Sequence, residues 1–112
     1  MDKSLATKAF EPEIKAYALE YLRMKGHITK NDVVINEFTI DSYSRRADLV
    51  IIRDDYLLAI EIKSEFDSLA RLSGQTEKYL EFFDKVLLVT SDSHLEKSIE
   101  KVNSNIEILI YS

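Results

Sequence analysis

The chain has 112 residues and no cysteine; 46% of its residues are hydrophobic and 31% charged, which suits one domain, residues 1–112, without disulfides or thiolate metal sites. It lacks both an apolar stretch of about 18 residues and a basic, then apolar N-terminus, so we expect a cytoplasmic protein without a membrane span. The formal net charge of −5 argues against binding nucleic acid by bulk electrostatics and suits a protein partner.

The first half of the chain predicts one helix and an antiparallel meander. Residues 1–10 have no clear period. Pro12 fits the first turn of a helix whose apolar spacing continues to Met24 and which Gly26 ends. Polar turns at 41–44 and 54–55 then separate three apolar strands, which are residues 33–40, 46–53 and 56–63.

The second half predicts a βαβ unit. Asp67 is expected to cap a long helix to about Phe83, and a short buried strand covers residues 86–90. A capping box at 93–96 would open a third helix before a last strand at 106–110. The order α-β-β-β-α-β-α-β predicts an α/β fold with a mixed sheet flanked by helices.

Charged residues on the two strands that should be interior carry the functional signal. Glu61 and Lys63 lie two residues apart, so they project from the same face, and a symmetric hairpin brings Asp48 close to Glu61. Two carboxylates that close repel unless a cation lies between them. With no His or Cys nearby, oxygen ligands favour Mg²⁺ or Mn²⁺.

The short acid-x-Lys pattern is weak by itself, since Glu13-Ile14-Lys15 repeats it on the first helix. The alternative is a half-exposed hairpin whose charges are solvated. What distinguishes Glu61-Ile62-Lys63 is its place after an apolar strand that carries Asp48.

Asp48, Glu61 and Lys63 resemble the motif of the PD-(D/E)XK, or restriction-endonuclease-like, nuclease superfamily, although Ala47 stands where that motif has proline. Gln75 and Tyr79 match the Gln-x-x-x-Tyr helix motif of its RecB-like branch, and their i, i+4 spacing places them on one helix face.

A closer resemblance, over residues 33–95, is to a family of small stand-alone bacterial and phage proteins that are mostly uncharacterised. Glu37 and Arg46 fit positions upstream of its aspartate. Its other matching residues are Glu61 to Ser64, Asp67 to Leu72, Gln75, Tyr79, Phe83 to Lys85 and His94.

The resemblance implies a restriction-endonuclease-like core and a DNA endonuclease that hydrolyses phosphodiesters by a metal-activated water. Weakly sequence-specific or structure-selective cleavage is expected, which a homodimer would suit. The implied catalytic residues are Asp48, Glu61, Lys63, Gln75, Tyr79 and Glu37. The implied metal ligands are Asp48, Glu61 and Ile62, and the implied substrate-binding residues are Arg46 and Arg71.

Several roles stay open at this point. Glu13 is a rival to Glu37 as the additional acid, and Arg46 and Arg71 either contact phosphates or pair with Asp67 and Glu65. The alternative for Gln75 and Tyr79 is structural: Gln75 lies on the helix surface and Tyr79 is a core residue. The whole chain has one too: an inactive module that keeps the nuclease fold and binds a partner, such as a phage inhibitor or an assembly subunit.

Overall fold

The computed structural model describes residues 10–40 and 45–111, so residues 1–9 and the predicted turn at 41–44 lie outside the described part. The predicted element order is confirmed, with one 3-10 turn added at Asp92–His94. The elements are α1 (Glu11–Met24), β1 (Val33–Ile40), β2 (Arg45–Arg53), β3 (Tyr56–Lys63), α2 (Leu72–Phe82), β4 (Lys85–Thr90), α3 (Leu95–Lys101) and β5 (Glu107–Ile110).

The five strands form one mixed sheet in the order β1-β2-β3-β4-β5, as an α/β fold requires. The pairs β1–β2 and β2–β3 are antiparallel, whereas β3–β4 and β4–β5 are parallel. The predicted two-residue turn at 54–55 is confirmed, because Arg53 pairs with Tyr56. Asp54 takes a φ of 55°, and the favoured two-residue hairpin turns have a positive φ at this first position.

Two apolar layers cover the sheet, one on each face. On the first face, α1 packs Ile14, Ala18 and Leu22 against β2, β3 and β4. On the other face, α2 places Leu72 and Tyr79 in a second core. The central strand β3 is buried along most of its length, because helices cover both of its faces.

The regular pairing is interrupted in one row of the sheet. The β1–β2 ladder omits Glu37 and Asp48, and Glu37 has a φ of 57°, which a non-glycine residue rarely adopts. Strict alternation would put Ala47 on the same face as Leu49, yet Ala47 packs in the α2 core with Val50, and Leu49 packs in the α1 core. The alternation of side chains between the two faces of the sheet is therefore broken at Asp48, and Asp48 takes no part in the β1–β2 ladder.

The helix after β3 begins at Leu72, so the start predicted at Asp67 is wrong. Asp67 closes a separate turn, in which its Oδ2 accepts the Ser64 N–H at 2.8 Å and its own N–H donates to the Ser64 carbonyl at 3.1 Å. Leu69 is buried between this turn and the helix. The aspartate therefore uses its capping group on the loop rather than on the helix.

The capping box predicted at 93–96 is also wrong. The N-cap of α3 is His94, and its side chain makes no capping hydrogen bond. The Ser93 hydroxyl instead lies 2.8 Å from the hydroxyl of Ser91. Within residues 10–40 and 45–111, no helix combines the length and the apolar character needed to cross a bilayer.

Candidate active site

The predicted acid pair lies at the end of β3, where the sheet opens between α1 and α2. Asp48 is only 7% exposed, Glu61 3% and Lys63 9%. The Lys63 ammonium lies 3.5 Å from Glu61 Oε2, so the two buried side chains are in direct contact. Burial of three ionisable groups is costly and needs a compensating interaction.

Asp48 is held by the backbone of the neighbouring strand. Its Oδ2 accepts the Ile62 N–H at 2.7 Å, a bond that the interrupted ladder makes available. Burial raises the pKa of Asp48 to about 6; the Ile62 bond opposes the rise, and the charge of Glu11 adds to it. The carboxyl group therefore titrates near neutral pH.

The pKa of Glu61 is raised further than that of Asp48. Burial raises the pKa of Glu61 to about 8, and the neighbouring Asp48 adds to the rise, while Lys63 and Tyr79 oppose it. At neutral pH and without a cation, Glu61 therefore carries a proton. The two carboxyl groups are therefore close enough for the charge of one to raise the pKa of the other, as the predicted hairpin implies.

Tyr79 connects Glu61 to strand β2. Its hydroxyl oxygen lies 2.8 Å from the Arg46 carbonyl oxygen and 2.8 Å from Glu61 Oε1. A phenol has one hydrogen, so the Tyr79 hydroxyl donates to one of these two oxygens at a time. Burial, with the charge of Glu61, raises the pKa of Tyr79 well above its usual range, so it stays a neutral donor.

Tyr79→Phe should lower the free energy of unfolding by about 1–3 kcal/mol, because the buried Arg46 carbonyl and Glu61 lose their shared partner. Urea unfolding at neutral pH measures the change. Tyr21→Phe is a matched control, since Tyr21 lies partly exposed on α1. Equal stability of the Tyr79 variant and the wild type would contradict this network.

A cavity of about 440 Å³ opens over the acid pair. Most of the predicted site residues line it, while Tyr79 lies buried behind Glu61. The lining residues are Glu11, Thr39, Arg46, Asp48, Glu61, Ile62, Lys63, Asp67, Arg71 and Gln75. Gln75 Oε1 is buried without a hydrogen-bond partner among the described residues, so it is available to a molecule in the cavity.

The acid expected to complete the site is not brought into the cavity. Glu37 is 44% exposed at its side chain and lies 3.7 Å from Arg46, so this arginine pairs with Glu37 rather than with Asp67 or Glu65. Glu13 is exposed on α1. Glu11 lines the cavity instead, because the first turn of α1 points at the end of β3.

Sequence reasoning did not single out Glu11 or Asp67 as site acids. The signal for Asp67 was its position four residues after Lys63, close enough for the loop to turn back over the strand end. The signal for Glu11 was weaker, since only the tertiary packing of α1 brings it there. His94, which the resemblance includes, ends the 3-10 turn and does not line the cavity.

The donor set fits a hard divalent cation. Asp48 and Glu61 supply carboxylate oxygens, and Ile62, whose side chain is apolar, could supply only its backbone carbonyl. In the described part of the chain, no three His, Cys, Asp or Glu side chains are grouped to hold an ion. Such a site would retain several waters, as Mg²⁺ sites do.

A second cavity, of about 410 Å³, lies at the opposite end of the strands, between α1 and the sheet. Its charged groups are already engaged: Lys85 lies 2.8 Å from Glu107, and Arg53 donates to the carbonyls of Gly26 and His27. It holds no buried carboxyl pair. The cavity over Asp48 and Glu61 is therefore the candidate active site.

The fold and the site define an α/β protein with a buried acid pair beside a lysine. Residues 4–112 match the family model described as bacteriophage P4 protein cII, so the chain belongs to that family. Protein cII of Enterobacteria phage P4 is 37% identical over 99 residues, which cover 88% of this chain. The match covers 37% of that relative, so the chain spans little more than a third of its length.

Proposed function

We propose that the chain has a restriction-endonuclease-like core and is a Mg²⁺- or Mn²⁺-dependent DNA endonuclease. The observation that supports this most is the burial of Asp48, Glu61 and Lys63 together on the wall of an open, polar cavity. A folded protein retains such a costly cluster where function requires it. The meander β1–β3, followed by α2 and the parallel strand β4, agrees with the proposed core.

The residues divide into ligands and groups that meet the phosphate. Asp48, Glu61 and the Ile62 carbonyl would hold the cation, which when bound polarises the phosphate and lowers the pKa of an attacking water. Lys63 would place its ammonium beside the developing negative charge. Gln75 would orient a water through its unpartnered oxygen.

Arg46 and Arg71, both exposed at the cavity, would bind non-bridging phosphate oxygens. Such contacts position the backbone without reading base sequence. We therefore expect weakly sequence-specific or structure-selective cleavage, leaving 5′-phosphate and 3′-hydroxyl ends. A homodimer would place two such sites on the two strands of a duplex.

The second candidate is a binding module that has kept the nuclease fold without activity. The net charge of −5 favours it, because an acidic protein binds nucleic acid weakly through its overall field. Membership of a family of phage proteins is compatible with an inhibitor or an assembly subunit. The intact set of Asp48, Glu61, Lys63, Gln75 and Tyr79 favours the enzyme, since a decayed site would have lost members.

Cleavage assays separate the two candidates. Supercoiled plasmid, branched DNA and structured RNA are incubated with the protein in EDTA, Mg²⁺ and Mn²⁺, with Glu61→Ala in parallel. Cutting that needs the metal and is lost in the variant supports the endonuclease and identifies its substrate. An absence of cutting in every metal, together with an absence of metal binding, would favour the binding module.

Mg²⁺ should raise the melting temperature, because a ligand that binds only the folded state stabilises it. At about 100 times the dissociation constant the gain is about 2.7 kcal/mol, or on the order of 10 °C for a domain of this size. Differential scanning fluorimetry at pH 8 measures the shift, with Glu61→Gln as the control that should lose most of it. An unchanged melting temperature in millimolar Mg²⁺ and Mn²⁺ would count against a metal site.

A further inference from the structure

Two exposed phenylalanines stack on each other beside the candidate active site. The rings of Phe10 and Phe66 lie 5.0 Å apart between centroids, with an interplanar angle of 17°. Phe10 is 59% exposed and Phe66 56%, although each ring covers one face of the other. Each ring therefore presents its second face to the solvent.

The pair lies at the edge of the cavity over the acid pair. Phe10 immediately precedes Glu11, and Phe66 immediately precedes Asp67; both acids line that cavity. Arg71 and Arg46, on the same cavity, supply positive charge at the mouth. Aromatic faces, guanidinium groups and a buried acid pair are thus gathered in one region.

The loop that carries Phe66 is held in a fixed conformation. The Phe66 N–H donates to the Ser64 hydroxyl at 3.2 Å, and Asp67 bonds back to the Ser64 N–H at 2.8 Å. Phe10 is the N-cap of α1, so its backbone begins a regular helix. Because the backbone at both positions is fixed in this way, less conformational entropy is lost when the two rings bind a planar ligand.

We propose that Phe10 and Phe66 form a stacking platform for an unpaired base, so that the site takes single-stranded or frayed nucleic acid. The inference rests on the proposed function, because it names the substrate class of the same cavity. Paired bases in a duplex keep their faces stacked on their neighbours and cannot lie on the rings. A single strand can, while its phosphate reaches the arginines.

The charge of the chain favours this mode of binding over a purely ionic one. A protein of net charge −5 gains little from its overall field, whereas stacking of bases on aromatic rings does not depend on net charge. The two stacked rings offer a surface that suits a base rather than a broad protein interface.

Tryptophan fluorescence tests the platform directly, since the chain contains no tryptophan. Phe66→Trp places one indole in the pair, and Phe82→Trp places one at a 49% exposed position on α2 as a matched control. Both variants are titrated in EDTA with a single-stranded oligonucleotide and with its blunt duplex. We expect the single strand alone to quench the emission of Phe66→Trp, with Phe82→Trp unaffected.

Alanine variants supply the affinity. Phe10→Ala and Phe66→Ala should each weaken single-strand binding by about tenfold and leave duplex binding unchanged, while Phe82→Ala has no effect. Failure of the single strand to quench Phe66→Trp, or equal quenching at Phe82→Trp, would overturn the proposal. So would quenching by a protein partner and not by oligonucleotides, which would assign the pair to a protein surface.

Binding in EDTA is independent of cleavage, so the two proposals fail separately. Ring-dependent binding of single strands without cutting in any metal would retain the platform and reject the endonuclease. Metal-dependent cutting that is unchanged in Phe10→Ala and Phe66→Ala would retain the endonuclease and reject the platform.

Discussion

Glu61→Gln should reduce metal-dependent cleavage of DNA by about 10³-fold or more, with the fold retained, because it removes a charged oxygen ligand. The fold should survive because the Glu61 carboxyl is protonated at neutral pH without metal, its pKa being about 8. A neutral carboxamide of the same shape replaces it without adding a buried charge. Initial rates on the preferred substrate, with circular dichroism of the same samples, give both readings.

Glu107→Gln is the matched control for this experiment. Glu107 opens β5 at the other end of the sheet, where it pairs with Lys85, so its loss should leave the cleavage rate unchanged. Cleavage by Glu61→Gln at the wild-type rate would exclude a role for Glu61 and would leave the buried pair without a catalytic explanation.

Lys63→Met extends the same prediction to the lysine. Methionine fills much of the same volume without the ammonium, and the fold should survive because Glu61, which is protonated at neutral pH, is not left as a buried unpaired charge. The cleavage rate should fall by about 10²–10³-fold, the loss typical of one group that stabilises transition-state charge. Lys85→Met is the control, and a wild-type rate in Lys63→Met would remove the lysine from the mechanism.

The strands and their order could be predicted because local pattern determines them. Buried runs such as Leu49 to Ile51 are typical of interior strands, and the Asp54–Asp55 turn fixes the pairing of β2 with β3. That register already implied that Asp48 and Glu61 are close. The change of facing at Asp48 could not be predicted, because alternation is assumed wherever a strand is read from its sequence.

Side-chain choice between competing partners was harder to predict. The Asp67 carboxylate can accept a hydrogen bond either from the first turn of a helix or from a nearby loop N–H, and in the structure it accepts from the Ser64 N–H. Ser93 similarly bonds Ser91 rather than the backbone of α3. Local sequence rules give both outcomes similar energy, so packing of the surrounding chain decides.

The parts of the site that lie far apart in sequence were predicted only where a motif joins them. Gln75 lines the cavity and Tyr79 contacts Glu61, as their spacing on one helix face suggested. Glu11 enters the cavity because α1 packs across β3, a placement that no local pattern encodes. Glu37, expected there, has a positive φ and instead lies 3.7 Å from Arg46.

The metal-free protein should lose stability as the pH rises from about 5 to about 8.5. Glu61 has an ordinary pKa of 4.5 and a pKa of about 8 in the folded protein, so between these values the folded state holds a proton that the unfolded state has released. The free energy of unfolding then falls by about 1.4 kcal/mol per pH unit from this group. Asp48, whose pKa rises from 3.8 to about 6, adds to the loss at the acidic end of the range.

The sign follows from the direction of the shift. A raised folded-state pKa gives a contribution that is complete below pH 4.5 and is lost as the pH passes about 8. For Glu61 alone the full loss is about 5 kcal/mol, a large part of the about 5–15 kcal/mol that stabilises a typical domain. The decline should therefore be visible in urea unfolding across this range.

Glu61→Gln isolates the contribution of the acid pair from the general repulsion of an acidic chain. The variant cannot ionise at this position, so its stability should decline less steeply, and the two curves should diverge as the pH rises above about 5. Mg²⁺ should restore much of the wild-type stability at pH 8, since a cation takes the place of the proton between the carboxylates. Parallel curves for the wild type and Glu61→Gln would show that Glu61 ionises normally and would remove the electrostatic reason for a metal at this site.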